Sequence, residues 1–292
     1  REFLMGEYIE NFKDCLPDPK KVKEIKKDLE SKGVKYIYSN WIDFLGSPKT
    51  KPMPISDFED LCAGKGPQFA VHSVSFVPEL TPADNDQIPV PDLDSLVICP
   101  WDKTCAWVFA DLWWNDKPYD VCPRQTLKKQ IHKNAKADLK FYVGIEPEFF
   151  VMKWEDGKPV KAIDNDPIPL RRQAFGYDAE YSIDGMNFLK EIIDILNNDL
   201  HWDLHDVVAE GAYGQYELDF GYTDILGMAD RLVFLRVLLK EIAKKHGFFV
   251  SFMPKTQISD WRSGAHINHS VECISEGNKN IYKDGDKFST RA

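Results

Sequence analysis

One apolar strand with two carboxylates on the same face places the strongest limit on this chain. Residues 141–152 read FYVGIEPEFFVM, and the alternation of a β-strand puts Glu146 and Glu148 on one face. Crowded carboxylates cost several kcal/mol unless a cation or a basic group compensates them. The segment predicts either a divalent-metal site or an edge strand with a solvated acidic face, where Pro147 would be tolerated.

Two further segments favour the metal. Residues 207–218 carry Glu210 and Glu217 around a glycine-rich bend. Within residues 264–271, alternation groups three polar side chains on one strand face, namely His266, Asn268 and Ser270. Carboxylate oxygens with a single imidazole suit Mg²⁺ or Mn²⁺ better than Zn²⁺. The three segments therefore predict a site for a hard divalent cation.

Local patterns predict helices and strands around these segments. Asp18-Pro19 begins a helix that ends at Gly33, and Thr223 or Asp224 caps a long helix that ends at Gly247. Two short strands are expected at residues 36–38 and 41–46. Short apolar runs between Phe69 and Trp114 predict a small antiparallel sheet.

Four motifs then occur in the order and approximate spacing of one enzyme family. They are EPEFF at 146–150, GQYE at 214–217, FMPK at 252–255 after His246-Gly247, and SGAH at 263–266. Together they resemble the glutamine synthetase family over nearly the whole chain, and most closely its branch with γ-glutamylmethylamide synthetase. The implied fold class is α+β. An N-terminal β-grasp domain is expected over residues 1–117, followed over 118–292 by a partial glutamine synthetase-type α/β catalytic domain with an antiparallel sheet.

The resemblance implies two metal sites. Glu148, Glu210 and Glu217 match the ligands of a metal on the glutamate side. Glu146 and His266 match ligands of a second metal on the nucleotide side. Mg²⁺ or Mn²⁺, at two or more sites, and ATP as co-substrate are therefore the expected cofactors.

Nucleotide contacts are also implied by the resemblance. Tyr222 matches an aromatic residue that stacks on adenine, although a tyrosine packed between sheet and helix is an open alternative. Asn268 stands where the family usually has a histidine that contacts phosphate, and Ser270 matches a serine near the nucleotide.

Glutamate recognition departs from the family pattern. Many members have Asn-Gly ahead of Ser-Gly-x-His, whereas this chain has Trp261-Arg262. Gly264 and Arg262 are the expected substrate-binding residues, because an arginine can meet a carboxylate directly.

The expected oligomeric state depends on Asp43. Residues 43–54 contain D-x-x-G followed by Lys51 and Pro54, as in the family, where this aspartate enters the active site of the adjacent subunit and helps to deprotonate ammonium. A catalytic role for Asp43 and a ring-shaped homo-oligomer, a decamer or dodecamer, are therefore expected. A plain turn acid is the alternative.

The function implied is ATP-dependent ligation of ammonia or a small alkylamine to the γ-carboxylate of glutamate through a γ-glutamyl phosphate, in glutamine biosynthesis and nitrogen metabolism. A non-catalytic, glutamine synthetase-like structural or metal-binding oligomer is the alternative from another class. An unrelated two-metal phosphotransferase or hydrolase would explain the carboxylates but not the other motifs. The chain is expected to be truncated at its C-terminus relative to the family, as an excerpt or as a reduced member.

Composition limits the partners. A formal charge of −10 without a basic cluster argues against nucleic acid, and no apolar run approaches the roughly 20 residues that span a bilayer. Six cysteines without a C-x-x-C pair predict reduced thiols and a cytoplasmic location.

Overall fold

The computed structural model describes residues 8–73, 80–163, 176–257, 261–285 and 287–288. Contacts divide the chain into a first unit, Arg1–Phe141 with Val271–Ala292, and a second unit, Tyr142–Ser270. This division differs from the expected family boundary between residues 117 and 118, because residues 118–141 group with the first unit. The family domains themselves stay a prediction.

Six α-helices and 17 strands are described along the chain. The helices are α1 (Phe12–Cys15), α2 (Pro19–Ser31), α3 (Phe58–Cys62), α4 (Pro123–Lys136), α5 (Ala179–Asp194) and α6 (Ile225–Lys245), with short 3-10 helices at Ile55–Asp57, Val71–Ser73 and Leu93–Ser95 and a π-helical turn at Ile195–Asp199. The strands of the first half are β1 (Tyr36–Ile42), β2 (Pro48–Pro54), β3 (Phe69–Ala70), β4 (Asp86–Pro91), β5 (Val97–Ile98), β6 (Cys105–Trp114) and β7 (Lys117–Pro118). The remaining strands are β8 (Leu139–Glu155), β9 (Lys158–Lys161), β10 (Leu204–Ala209), β11 (Gln215–Phe220), β12 (Thr223–Asp224), β13 (Phe249–Ser251), β14 (Ala265–Cys273), β15 (Lys279–Asn280), β16 (Lys283–Asp284) and β17 (Lys287–Phe288).

A mixed sheet forms the first unit, in the order β2-β1-β6-β4-β3, with β5 and β7 also paired to β6. The strands after Phe69 pair antiparallel, as predicted, while β1 runs parallel to β6. Helix α2 covers this sheet through a buried cluster that includes Val22, Leu29 and Ile37. The helix begins as predicted, since the Asp18 carboxylate accepts a hydrogen bond from the Lys20 amide at 3.0 Å.

The prediction of separate strands at 36–38 and 41–46 is wrong. Strand β1 continues from Tyr36 to Ile42 in unbroken register with β2. Asn40 lies in its interior, where its side-chain amide donates to the Val108 carbonyl at 3.0 Å. A buried polar residue with a tertiary partner interrupts the apolar pattern without ending the strand.

The second unit is organised around β8. Strand β8 lies between β11 and β14, and β10 pairs with the other side of β11. Helix α6 is capped by Asp224, whose carboxylate accepts from the Gly227 amide at 2.9 Å, and ends before Gly247 at φ +72°, as predicted. No helix in the part of the chain that the structure describes combines the length and the apolar character that a membrane span requires.

Candidate metal centre

Strand pairing brings the predicted carboxylates together. Antiparallel pairing of β11 with β8 places Glu217 directly opposite Glu148. The hairpin between β10 and β11 carries Glu210, whose amide donates to the Gln215 carbonyl at 2.9 Å. Side chains directly opposite on neighbouring strands lie within about 5.5 Å. Residues distant in sequence therefore form one acidic surface.

Two groups of donor atoms could each hold a cation. Within each group, one ligand atom per residue lies within 4.8 Å of the others; the groups are Glu148 with Glu210 and Glu217, and Glu146 with Glu217 and His266. Glu217 belongs to both groups. Glu148 and Glu217 are buried, whereas His266 is exposed. The structure thus brings together the residues of each predicted ligand set and places Glu217 beside the second set as well, while their role as ligands stays a prediction.

His266 and Asn268 reach the same carboxylates from β14. The His266 Nδ1 atom lies 3.4 Å from Glu146 Oε2 and 3.7 Å from Glu217 Oε2. Asn268 Nδ2 donates to Glu146 Oε1 at 2.5 Å. The predicted polar face of β14 therefore meets the acidic residues of β8 and β11.

The electrostatics of the cluster favour a cation. Burial, with the nearby Asp219 and Glu210 carboxylates, raises the pKa of Glu217 to about 7. Burial and the Glu148 charge also raise the pKa of Glu210. Glu217 Oε2 is buried and has no hydrogen-bond partner among the described residues. Hard oxygen donors with one imidazole fit Mg²⁺ or Mn²⁺, which would satisfy this oxygen and offset the repulsion.

Mn²⁺ binding is expected to strengthen as the pH rises from 6 to 8. The cation must displace the proton from Glu217, whose pKa is about 7. At pH 6 about nine-tenths of that carboxyl is protonated, so binding should be roughly 10-fold weaker than at pH 8. Titrations followed by the electron paramagnetic resonance of free Mn²⁺ measure this, and a pH-independent affinity would contradict the assignment.

The stability of the metal-free protein should change in the opposite direction. Between the ordinary glutamate pKa of 4.5 and the folded value of about 7, the folded state binds more protons than the unfolded state. Its free energy of unfolding should therefore fall as the pH rises through that window.

Residues 262–264 lie against the carboxylates. A side chain at Gly264 would displace the Glu148 carboxylate, since a Cβ atom there would meet Glu148 Oε1 at 2.7 Å and His266 Nε2 at 3.3 Å. The Gly264 carbonyl accepts from the Glu148 amide at 3.2 Å. Arg262 is exposed, and its carbonyl accepts from Gln215 Nε2 at 3.0 Å.

Gly264→Ala should weaken Mn²⁺ binding by roughly 10-fold with little loss of stability, because the added methyl group displaces a flexible carboxylate rather than the backbone. Gly144→Ala is the matched control on β8, since its Cβ would make an ordinary contact at 3.8 Å with Tyr222. Calorimetric Mn²⁺ titration of both variants provides the comparison. Equal affinities would show that the Gly264 contact does not orient Glu148.

The remaining predicted residues lie in different settings. Tyr222 is 73% exposed and meets Tyr142 edge to face, with ring centroids 5.9 Å apart, so the alternative of a buried core tyrosine is wrong. Ser270 is half-buried on β14. In the first unit, Asp43 Oδ1 accepts from the Leu45 and Ser47 amides at 3.0 and 2.8 Å. Asp43 therefore caps the turn between β1 and β2, and its catalytic role stays a prediction.

Two polar residues near the centre were not predicted as site residues. Gln215 contacts Glu148, and Asp219 has its pKa raised by burial and by Glu146. Strand alternation places Gln215 and Asp219 on the same face of β11 as Glu217, so their position near the centre could have been predicted. The signal was present in the sequence, but only the partner strands show what the face meets.

Comparison with known families and proteins identifies the family of this chain. The family model described as "Glutamine synthetase, catalytic domain" matches residues 120–291. The glutamine synthetase of Rhizobium meliloti is 33% identical over 253 residues, which cover 87% of this chain and 56% of that protein. The glutamate–methylamine ligase of Methyloversatilis universalis is 29% identical over 266 residues, which cover 89% and 57% of the two chains.

Solved structures show the same similarity. A structure described as a GmaS/ADP complex is 28% identical with a TM-score of 0.80, over 90% of this chain and 59% of that one. Plasmodium falciparum glutamine synthetase, at 20% identity and a TM-score of 0.74, shares the fold over 92% and 56% of the chains. The chain thus spans about half the length of the curated relatives it matches.

Proposed function

Because this chain belongs to the glutamine synthetase family, we propose that it carries the divalent-metal centre of an ATP-dependent ligase that joins an amine to the γ-carboxylate of glutamate. The observation that carries the proposal is Glu217, a buried carboxylate shared by two groups of potential ligands from three strands and a hairpin. Such a cluster is costly without cations. A ligase that handles ATP beside a carboxylate substrate requires them.

Two Mg²⁺ or Mn²⁺ ions are the proposed cofactors. Glu148, Glu210 and Glu217 would hold one, while Glu146 and His266, with Glu217 in reach, would hold the other. When bound, the ions would supply positive charge that offsets the ATP phosphates and the glutamate carboxylate during phosphoryl transfer.

The proposed reaction has two steps. A carboxylate is a poor electrophile, so its γ-oxygen first takes the terminal phosphoryl group of ATP, which releases ADP and forms γ-glutamyl phosphate. The amine nitrogen then attacks the carbonyl carbon of the γ-glutamyl phosphate, the bond between that carbon and the phosphate oxygen breaks, and the amine loses a proton. The products are the γ-amide and phosphate.

Residues around the ligands would orient the substrates. Asn268, exposed beside Glu146, would donate to a phosphate, and the exposed ring of Tyr222 would stack on adenine. Ser270 is the further nucleotide contact. We assign glutamate binding to Arg262 and Gly264, since the guanidinium pairs with carboxylates and the glycine lies against Glu148.

The nucleophile is proposed to be ammonia or a small alkylamine. Similarity to a glutamate–methylamine ligase and to glutamine synthetases supports both within one chemistry. We also infer that the N-terminal part is a β-grasp domain, because α2 packs on a mixed sheet with a central parallel pair. A ring-shaped homo-oligomer in which Asp43 serves an adjacent subunit, and a cytoplasmic location, stay predictions.

ADP release tests the proposal. The chain would be supplied with Mg²⁺ or Mn²⁺, ATP and glutamate, and ammonia, methylamine and larger amines would be added in turn. Amine-dependent ADP release should be lost in Glu148→Ala and retained in Glu155→Gln, an exposed control on the same strand. Metal binding without any ADP release would leave either an excerpt of a longer ligase or the non-catalytic alternative, whereas failure to bind the metal would contradict the proposal.

A further inference from the structure

Gln215 is at the centre of the contacts behind the carboxylates. It is 1% exposed, and its Nε2 atom lies 2.9 Å from Glu148 Oε2, 3.0 Å from the Arg262 carbonyl and 3.5 Å from Ser263 Oγ. Carboxylate and carbonyl oxygens accept hydrogen bonds and cannot donate them. The chemistry of these neighbours therefore requires the NH₂ group, and not the carbonyl, of the Gln215 amide to face them.

This orientation leaves the other end of the amide unsatisfied. Gln215 Oε1 is buried without a hydrogen-bond partner in the part of the chain that the structure describes. Such an orphan acceptor costs free energy, so the side chain does not satisfy all of its own hydrogen-bonding groups. The hydrogen bonds made by the NH₂ group are therefore the interactions that hold the Gln215 side chain in this position.

The same contacts join a proposed metal ligand to a neighbouring segment. Gln215 links Glu148 to the Arg262 carbonyl, and the Glu148 amide donates to the Gly264 carbonyl at 3.2 Å. Gly264 also allows the segment to lie directly against the Glu148 carboxylate. A shift of the Glu148 side chain would therefore also displace residues 262–264.

We propose that Gln215 is a positioning residue that holds Glu148 for the cation and couples occupancy of the cation site to residues 262–264. This inference rests on the proposed function, which places the cation at Glu148 and the amino-acid substrate at Arg262 and Gly264. With a cation bound, Glu148 would be held in place, its carboxylate would hold the Gln215 amide, and the amide would hold residues 262–264. The cation then orders the segment before the substrate arrives.

Two measurements on the full chain test the coupling. Mn²⁺ affinity is obtained from paramagnetic resonance titration, and backbone hydrogen exchange of residues 261–266 is followed with and without saturating Mn²⁺. In the unsubstituted chain, Mn²⁺ should slow exchange both in this segment and in β11. Gln215→Met keeps the length of the side chain but has no donor. It should bind Mn²⁺ roughly 10-fold more weakly and, at saturation, lose the slowing in 261–266 while retaining it in β11.

Matched variants separate positioning from a general loss of packing. Gln125→Met replaces another buried glutamine, whose Nε2 donates to the Leu112 carbonyl at 3.4 Å in the first unit. It should leave both Mn²⁺ measurements unchanged even if the protein becomes less stable. Gln215→Asn keeps an amide one methylene shorter, and it should also lose the coupling, so it serves if Gln215→Met does not fold.

The outcomes distinguish this inference from the proposed function. Mn²⁺ affinity and segment protection in Gln215→Met or Gln215→Asn equal to those of the unsubstituted chain would overturn the positioning role alone. Failure of the unsubstituted chain to bind Mn²⁺ would overturn the proposed function together with the coupling.

Discussion

Glu217→Gln is expected to abolish Mn²⁺ binding and, at pH 8, to raise the melting temperature of the metal-free protein. Glu217 belongs to both groups of potential ligands, so losing its charge weakens both. We expect a loss of affinity of roughly 100-fold or more. In the metal-free protein, the same change removes a buried charge that repels its acidic neighbours, and Tm should rise by roughly 2–6 °C.

The two expected effects of Glu217→Gln have opposite signs, because Mn²⁺ affinity should fall while the Tm of the metal-free protein should rise. Differential scanning fluorimetry with and without Mn²⁺ measures both effects on one sample. Glu155→Gln, an exposed residue on β8, makes the same chemical change away from the cluster and should alter neither quantity. A Glu217→Gln protein that is less stable without metal would show that the carboxylate is compensated by other groups.

Arg124→Met is expected to lower the free energy of unfolding by about 3–5 kcal/mol. Arg124 is buried, and its guanidinium lies 2.7 Å from Asp92 Oδ2 and 2.5 Å from Asp111 Oδ1. Lys128 pairs with the same two carboxylates. Without Arg124, two carboxylates whose side chains are only 12% and 13% exposed would share a single lysine, and one charge would remain uncompensated.

Urea denaturation at pH 7 measures the loss. Lys129→Met is the control on the same helix, because the Lys129–Asp120 pair at 3.1 Å is exposed and should contribute less than about 1 kcal/mol. Equal losses in the two variants would show that the buried network contributes no more than a surface ion pair.

At acidic pH, the difference in free energy of unfolding between the unsubstituted chain and Arg124→Met should become smaller. Burial alone would raise the pKa of Asp92, but the Arg124 and Lys128 charges outweigh it and hold that pKa well below its usual range. A depressed carboxyl pKa contributes stability that is present above about pH 4 and is lost as the pH falls further. The free energies of unfolding of the two proteins should therefore approach each other as the pH falls below about 4.

Local features of the site and fold could be predicted because they depend on neighbours in sequence. Alternation placed Glu146 and Glu148 on one strand face, and residues 266, 268 and 270 on another. The caps at Asp18 and Asp224 follow from short-range hydrogen bonds. The prediction of two strands within residues 36–46 was wrong because the Asn40 partner, the Val108 carbonyl, lies far away in sequence.

The sequence by itself determined which chemical groups the candidate centre contains, since hard oxygen donors and one imidazole at strand spacing predict a hard divalent cation, and its motifs identified the family. Only the tertiary structure decided how the ligands are shared. Pairing of β11 with β8 sets Glu217 opposite Glu148, and burial raises the Glu217 pKa to about 7. It also placed the Gln215 amide between Glu148 and residues 262–264. Alternation defines the face of one strand, whereas register and burial depend on which strands pair.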